Sequence, residues 1–209
     1  MKVLVIGATG ATGKDLLELL FMDKDVQSIE VFARRKPELE NDKIKVHMVD
    51  FDKPLTWKHL VKGDVLFSCL GTTLKAAGSK ENQYRIDYRY QYEFATAAKE
   101  NGVESYVLVS ASNASSNSLV FYSKMKGELE DSVKKLGFEK LIIFQPPLLV
   151  RKGSDRKAEI YAEKTLRLLN SCGLLKKYKP MPTSVLAKAM IDSVKSLGKG
   201  TFTIKAREI

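Results

Sequence analysis

The chain has 209 residues, 44% of them hydrophobic and 29% charged, a balance that supports one soluble globular domain with a sizeable core. Its longest apolar runs fall well short of the ~20 residues that span a bilayer, and the opening VLVI is too short for a secretory signal core, so the expected setting is cytoplasmic, without a membrane partner. The net charge is +10, but the densest basic stretches, KMKGELEDSVKK and LLKKYKPMP, form no basic stripe interleaved with aromatics; a solvated lysine-rich surface with anionic small-molecule ligands is expected rather than nucleic acid.

In chain order the pattern alternates strand and helix. KVLVIG is a short apolar run ending in glycine, the pattern of a buried parallel strand. GATGATG follows at once and opens a helix through KDLLELLFM. Gly7, Gly10 and Gly13 permit a tight turn and a close backbone approach to a pyrophosphate, which the amides at the helix start then bind. Gly7, Thr9, Gly10, Ala11, Thr12 and Gly13 are therefore candidate cofactor contacts, the two threonines as hydroxyl donors. The spacing is G-x-x-G-x-x-G rather than G-x-G-x-x-G.

SIEVFA is the second strand, and it runs into Arg34 and Arg35. An NAD site commonly places an acid here for the ribose hydroxyls. Two guanidinium groups instead suit a 2′-phosphate through forked, charge-assisted hydrogen bonds. NADP is therefore preferred over NAD.

KVHMVDF is the third strand, followed by a short helix near LTWKHLV, and DVLFSCLG is the fourth strand. A long helix is expected from about Asn82 to Glu100, stopped by Asn101-Gly102. SYVLVS is the fifth strand, and the small-residue segment SASNASSNS after it reads as a loop. The next helix carries FYSKMKGELE and runs to about Leu136, with Gly137 closing it. KLIIFQ is the sixth strand, stopped by Pro146-Pro147. RKGSDRKAE then reads as a loop leading into a helix, TSVLAKAMIDSV as a helix and GTFTIKA as a last strand. Repeated strand–helix–strand units predict an α/β, Rossmann-like, doubly wound parallel sheet with helices on both faces. The whole chain is read as one nucleotide-binding domain, with residues 147–209 as a small substrate-side lobe. Cys69, Cys172, His47 and His59 form no ligand cluster, so no metal is expected.

The series GATGATG, FARR, VDF, SCLGTT, VLVS and Y-S-K-M-K-G-E-L-E resembles the short-chain dehydrogenase/reductase superfamily. Within it, VDFDK, CLGTT and Y-x-x-x-K-G-E-x-E are similar to the atypical branch of the HIV Tat-interactive oxidoreductase-like NAD(P)-binding family. The resemblance covers about Lys2 to Glu159. It implies that Asp50 and Phe51 lie beside the adenine and that Leu70, Gly71 and Thr72 line the cofactor. It implies Tyr122 and Lys126 as the catalytic tyrosine and lysine, Ser110 as the serine after the fifth strand, and Arg156, with Glu159, near the cofactor. Two positions depart from it. The order Ser110-Ala111-Ser112 leaves two candidates for the substrate-polarising hydroxyl, and Gln145-Pro146-Pro147 stands where relatives tend to read Arg-Pro-Gly.

The chemistry implied is NADP-dependent hydride transfer to or from a small carbonyl or alcohol. A tyrosine with pKa about 10 is a poor base at neutral pH, and a neighbouring ammonium stabilises its phenolate. Lys126, four residues after Tyr122, lies one turn away on the same helix face and also holds the nicotinamide ribose in this reading. A merely structural role for Lys126 would be an ion pair with Glu130, again four residues on. The alternatives are a non-catalytic NADP(H)-binding sensor or interaction module, with a homodimer or protein partner possible, and a sugar-nucleotide epimerase-type enzyme.

Overall fold

The computed structural model describes residues 1–39, 41–150 and 180–209. The elements that build the sheet are β1 (Lys2–Ile6), α1 (Ala11–Met22), β2 (Ser28–Ala33), β3 (Ile44–Met48) and β4 (Val65–Ser68). They continue with α2 (Leu74–Ala77), α3 (Lys80–Tyr84), α4 (Tyr90–Glu100), β5 (Ser105–Val109), α5 (Phe121–Lys134) and β6 (Lys140–Gln145). A two-residue strand β7 (Leu149–Val150) pairs with β8 (Met181–Pro182), and α6 (Thr183–Ser196) and β9 (Gly200–Lys205) complete the described chain.

The main sheet has seven parallel strands in the order β3-β2-β1-β4-β5-β6-β9. This is the doubly wound order, with its switch point between β1 and β4 at the carboxyl edge. Strand periodicity explains why both faces need covering. Val3 and Val5 point to one face, where they meet Leu16, Leu17 and Leu20 of α1 and Leu186, Ala187 and Met190 of α6. Leu4 and Ile6 point to the other, against Phe94, Ala95 and Ala98 of α4 and Leu129 and Val133 of α5. The two halves of the sequence are tied by α1 against α6, where the Thr183 hydroxyl donates to Asp15. Part of the tail therefore joins the main sheet. The remainder of the expected substrate-side lobe, residues 151–179 with Arg156 and Glu159, lies outside the described residues.

The segment expected as one helix from Asn82 to Glu100 is helical throughout, running from α3 through a π turn into α4. Between α3 and α4 the chain makes a π turn over Arg85–Arg89, in which the Tyr90 amide donates to the Arg85 carbonyl. That i→i+5 step inserts one extra residue into a turn, and Asp87 within it is buried on the same helix face as Gln83, Gln91 and Phe94. The short helix near LTWKHLV is a pair of 3₁₀ turns, Pro54–Thr56 and Lys58–Leu60.

Aromatic packing links the second face of the sheet to the segment after β3. Trp57 is buried and stacks on Phe94 at 4.6 Å between ring centres, while its Nε1 donates to the Asp50 carbonyl at 2.9 Å. Trp57→Ala removes both and leaves a cavity, a change expected to cost about 3–5 kcal/mol; an unchanged denaturant midpoint in chemical unfolding would contradict this account.

Candidate functional site

The site is assembled at the carboxyl ends of β1, β4, β5 and β6. The glycine loop is the most constrained part of it. Gly7 has φ +80°, and a Cβ there would lie 2.4 Å from the Cys69 carbonyl carbon after β4. A Cβ on Gly13 would lie 2.1 Å from the Gly7 carbonyl oxygen. The Gly10 amide donates to the Gly7 carbonyl at 2.9 Å, and Gly10 then caps α1. No acid stands in the first turn of α1, so its positive end is not neutralised from within. Thr12 is buried at this helix start and Thr9 and Ala11 are half-buried. The loop thus admits backbone only and runs into a helix start without a side-chain cap, an end whose sign suits an anion.

Arg34 and Arg35 are both exposed, directly past the end of β2. Across the same rim the Tyr90 hydroxyl donates to Asp52 at 2.7 Å, and Arg85 lies 3.8 Å from that carboxylate. Burial first, then the Asp52 hydrogen bond, pushes the Tyr90 phenol up to about 12, so Tyr90 stays a neutral donor. Asp50 is exposed, with Lys53 3.5 Å away. Phe51 is buried against Tyr90, Trp57 and Phe94; what it offers a ligand is its backbone, with the ring committed to the core.

Leu70, Gly71 and Thr72 form the loop after β4, as expected from CLGTT. The Thr72 amide donates to Asp87 Oδ2 at 2.9 Å, and the Gln83 side chain donates to the Thr72 carbonyl at 3.2 Å. Ser68, at the end of β4, donates to Gln91, and Gln91 donates to the Asp87 backbone carbonyl.

Helix α5 presents Tyr122, Lys126 and Glu130 at successive four-residue steps. Tyr122 is 39% exposed, whereas Lys126 is 2% exposed. The partner of Lys126 is Asp87, with Nζ to Oδ1 at 3.3 Å, rather than the Glu130 that helical spacing suggested. Burial raises the Asp87 carboxyl above its ordinary range, while Lys126 and the Thr72 amide work against that rise. Glu130 is also buried and is held by other groups: Ser110 Oγ donates to its Oε1 at 2.5 Å, and Gln145 Nε2 donates to Oε1 at 3.0 Å and Oε2 at 3.1 Å. The Ser110 hydroxyl proton is therefore directed into the protein. Ser112 is half-buried, with its amide on the Pro146 carbonyl at 3.0 Å, and its hydroxyl has no hydrogen-bond partner among the described residues. Asn113 follows with φ +64°, a left-handed turn uncommon outside glycine. The loop then lies on Gly127 of α5, and the Ser115 amide donates to the Ser123 carbonyl at 3.0 Å.

Sequence reasoning missed Asp87, Gln91 and the partner of Glu130. Asp87 gave no signal because its partner, Lys126, is some forty residues further on. Glu130 was visible in Y-x-x-x-K-G-E-x-E, but a buried carboxylate's partners come from strands distant in sequence.

A family model described as NAD(P)H-binding matches residues 7–163. Protein FMP52, mitochondrial, of Candida albicans is 35% identical over 199 residues, spanning 92% of this chain and 87% of its own length. Among solved structures, the Bordetella bronchiseptica enzyme WbmH in complex with NAD+ aligns at TM-score 0.74 and 15% identity, over 98% of this chain and 75% of that one. The oxidoreductase ylbE from Lactococcus lactis aligns at TM-score 0.72 and 18% identity, over 97% and 90%. At such identities the structural likeness is one of fold. The FMP52 relatives of further fungi also carry the word mitochondrial in their names, and this overturns the cytoplasmic expectation. The shortness of VLVI bears only on a secretory core; mitochondrial targeting segments are basic and amphipathic and need no apolar run. The glycine cradle and the family match over most of the chain lead to one conclusion: this chain belongs to the NAD(P)H-binding family, with the FMP52 proteins among its relatives.

Proposed function

We propose that the chain is a mitochondrial NADP-dependent oxidoreductase of the atypical short-chain type, of the Tat-interactive-like branch, acting on a small carbonyl or alcohol. The observation that carries this reading is the placement on α5 of an exposed Tyr122 one turn from a buried, charge-paired Lys126. A lysine serving only surface solubility would not be 2% exposed. The glycine cradle fits the pyrophosphate and the arginine pair fits the 2′-phosphate, so the residues present suit NADP.

Bound NADPH supplies the hydride. The rest is done by this chain's side chains. The Tyr122 phenol donates the proton to the carbonyl oxygen in the reductive direction and accepts it back in the oxidative one. Lys126, one turn away on the same helix, would hold the nicotinamide ribose. One hydroxyl then orients the substrate oxygen, and the geometry favours Ser112, because the proton of Ser110 is already given to Glu130. Ser112→Ala is expected to lower turnover by about a hundredfold or more, the usual cost of one lost donor to a developing oxyanion. Ser110→Ala is expected to act mainly on stability, by about 1–3 kcal/mol, since it leaves Glu130 less satisfied. Steady-state kinetics with thermal melts of both variants separate the two; a larger kinetic loss in Ser110→Ala would reverse the assignment.

A second reading, an NADP(H)-binding sensor without turnover, is favoured by that same commitment of Ser110 to Glu130. NADPH oxidation against a panel of carbonyls decides between them. Tight NADPH binding with no NADPH oxidation by any carbonyl, and a partner protein retained only with cofactor, would select the sensor.

A further inference from the structure

We infer that Glu38 is a cofactor-selecting residue: its carboxylate holds the seat of the 2′-phosphate against Lys14, and NADPH binds by displacing it. This deepens the NADP-binding reading above and rests on it. Lys14 directly follows GATGATG and is the fourth residue of α1. Its side chain reaches from that helix to the segment after β2, where its Nζ meets Glu38 Oε1 at 2.5 Å. Glu38 stands three residues past Arg35, and the chain there folds back toward α1. Pro37 is buried, and Leu39 packs against the core cluster that holds Leu16, Leu17 and Leu20. The Glu38 backbone is thus pinned on both sides, while its side chain is 84% exposed and free to swing aside. Lys14, by its hydrogen bond and then by its charge, holds the Glu38 carboxyl below its ordinary range, and Arg35 adds to the same effect. Glu38 is therefore an anion at neutral pH.

The crevice between the glycine loop and the end of β2 is where a doubly wound sheet reads the adenosine ribose, with an acid for its hydroxyls or a cation for its phosphate. This chain brings both kinds of group there, and the acid is already paired with one of the cations. An exposed ion pair holds weakly. A phosphate monoester carries about −1.5 to −2 charges and three acceptor oxygens, so it takes Lys14 from a single carboxylate, against the repulsion of that carboxylate. A nucleotide without the 2′-phosphate leaves the pair in place. Plain surface pairing would make both residues indifferent to the nucleotide. Competition makes them act in opposite directions.

The test titrates wild type, Glu38→Gln, Lys14→Gln and their double with NADPH, NADH, adenosine 2′,5′-diphosphate and adenosine 5′-monophosphate. The last two differ only in the 2′-phosphate. Glu38→Gln is expected to tighten NADPH and the diphosphate by about three- to tenfold, the scale of one exposed like charge removed from beside a dianion. NADH and the monophosphate stay within about twofold, the scatter of an unconnected site. Lys14→Gln is expected to weaken NADPH and the diphosphate by a similar factor. In the Lys14→Gln background the gain from Glu38→Gln shrinks, because the carboxylate no longer holds the seat. Glu139→Gln is the control. It removes the same charge from another exposed pair, with Lys199 at 2.6 Å, just before β6, and leaves NADPH binding within about twofold. NMR titration of the Glu38 carboxyl gives a second readout: its pKa rises when the diphosphate binds and holds when the monophosphate binds. Glu38→Gln binding NADPH as the wild type does, with the wild type still preferring NADPH to NADH, overturns the inference and leaves the NADP reading standing. An equal gain for the monophosphate, or in Glu139→Gln, also overturns it by showing a general charge effect. So does an equal gain with and without Lys14, which would show that Glu38 acts without that seat. A wild type that binds NADH as tightly as NADPH, and both adenosine phosphates alike, removes the NADP reading and the inference together.

Discussion

Replacing Tyr122 by phenylalanine is expected to abolish most NADPH-dependent carbonyl reduction, lowering turnover by about two to four orders of magnitude. The change deletes one hydroxyl from an exposed position on α5. The ring stays, and the phenol makes no hydrogen bond within the described residues, so folding should be nearly untouched. The separation between chemistry and binding is therefore unusually clean. NADPH affinity should hold, because Tyr122 sits outside the glycine cradle and the arginine rim, and KM should move far less than kcat, because the proton is needed only as charge develops on the substrate oxygen. Thermal melts should coincide within the range of a neutral surface substitution, about 0.5 kcal/mol. Equal turnover by both proteins would remove Tyr122 from the mechanism and shift weight to the sensor reading. Lys126→Met makes a poor substitute for this experiment, since it leaves Asp87 buried without its cation and mixes a stability loss into the kinetics.

The contrast between those two residues of one helix also shows where the sequence was readable. SIEVFA and KLIIFQ end as β2 and β6 at the residues expected, because fully buried parallel strands are short apolar runs with sharp polar edges. The glycine loop was legible for a local reason too: the approach of its backbone to Cys69 admits no side chain. The π turn was not legible. A helix with one inserted residue keeps nearly the same polar pattern, and the buried partner of its Asp87 is Lys126, some forty residues further on. The i, i+4 rule likewise offered Glu130 as the partner of Lys126 for a merely structural role, on local spacing alone. The fold overrode it by bringing Asp87 to the lysine, and Ser110 and Gln145 to the glutamate. Gln145 is informative in that respect. The resemblance leads one to expect an arginine there, yet a neutral amide faces a buried carboxylate, with Lys134 only at 4.0 Å. Hydrogen bonds from Ser110 and Gln145 take over what a cation would have done.

The preference for NADP rests on exposed groups, and its test must allow for solvent. Arg34 and Arg35 stand past the end of β2 with no acid among the positions that usually read the ribose hydroxyls. A charge-assisted hydrogen bond contributes about 1.5–3 kcal/mol when well formed, and exposure and salt reduce that. One guanidinium is therefore worth roughly tenfold in affinity, and the pair between about ten- and a hundredfold. The Arg34→Ala/Arg35→Ala double variant is expected to lose that much NADPH affinity while NADH affinity changes by less than about twofold, within the usual scatter for an unconnected site. Salt provides the internal control. Wild-type affinity for NADPH should fall more steeply with ionic strength than that of the double variant, because the 2′-phosphate carries the charge that the arginines face. Asp52 lies on the same rim, but Tyr90 and Arg85 hold it and both remain in the double variant, so the loss should be that of the two deleted guanidinium groups alone. Fluorescence titration of both nucleotides at two salt concentrations measures all of this at once. NADH binding as tightly as NADPH to the wild type, or NADPH binding unchanged in the double variant, would show that the arginines read no phosphate and that selection between the two cofactors lies elsewhere in the chain.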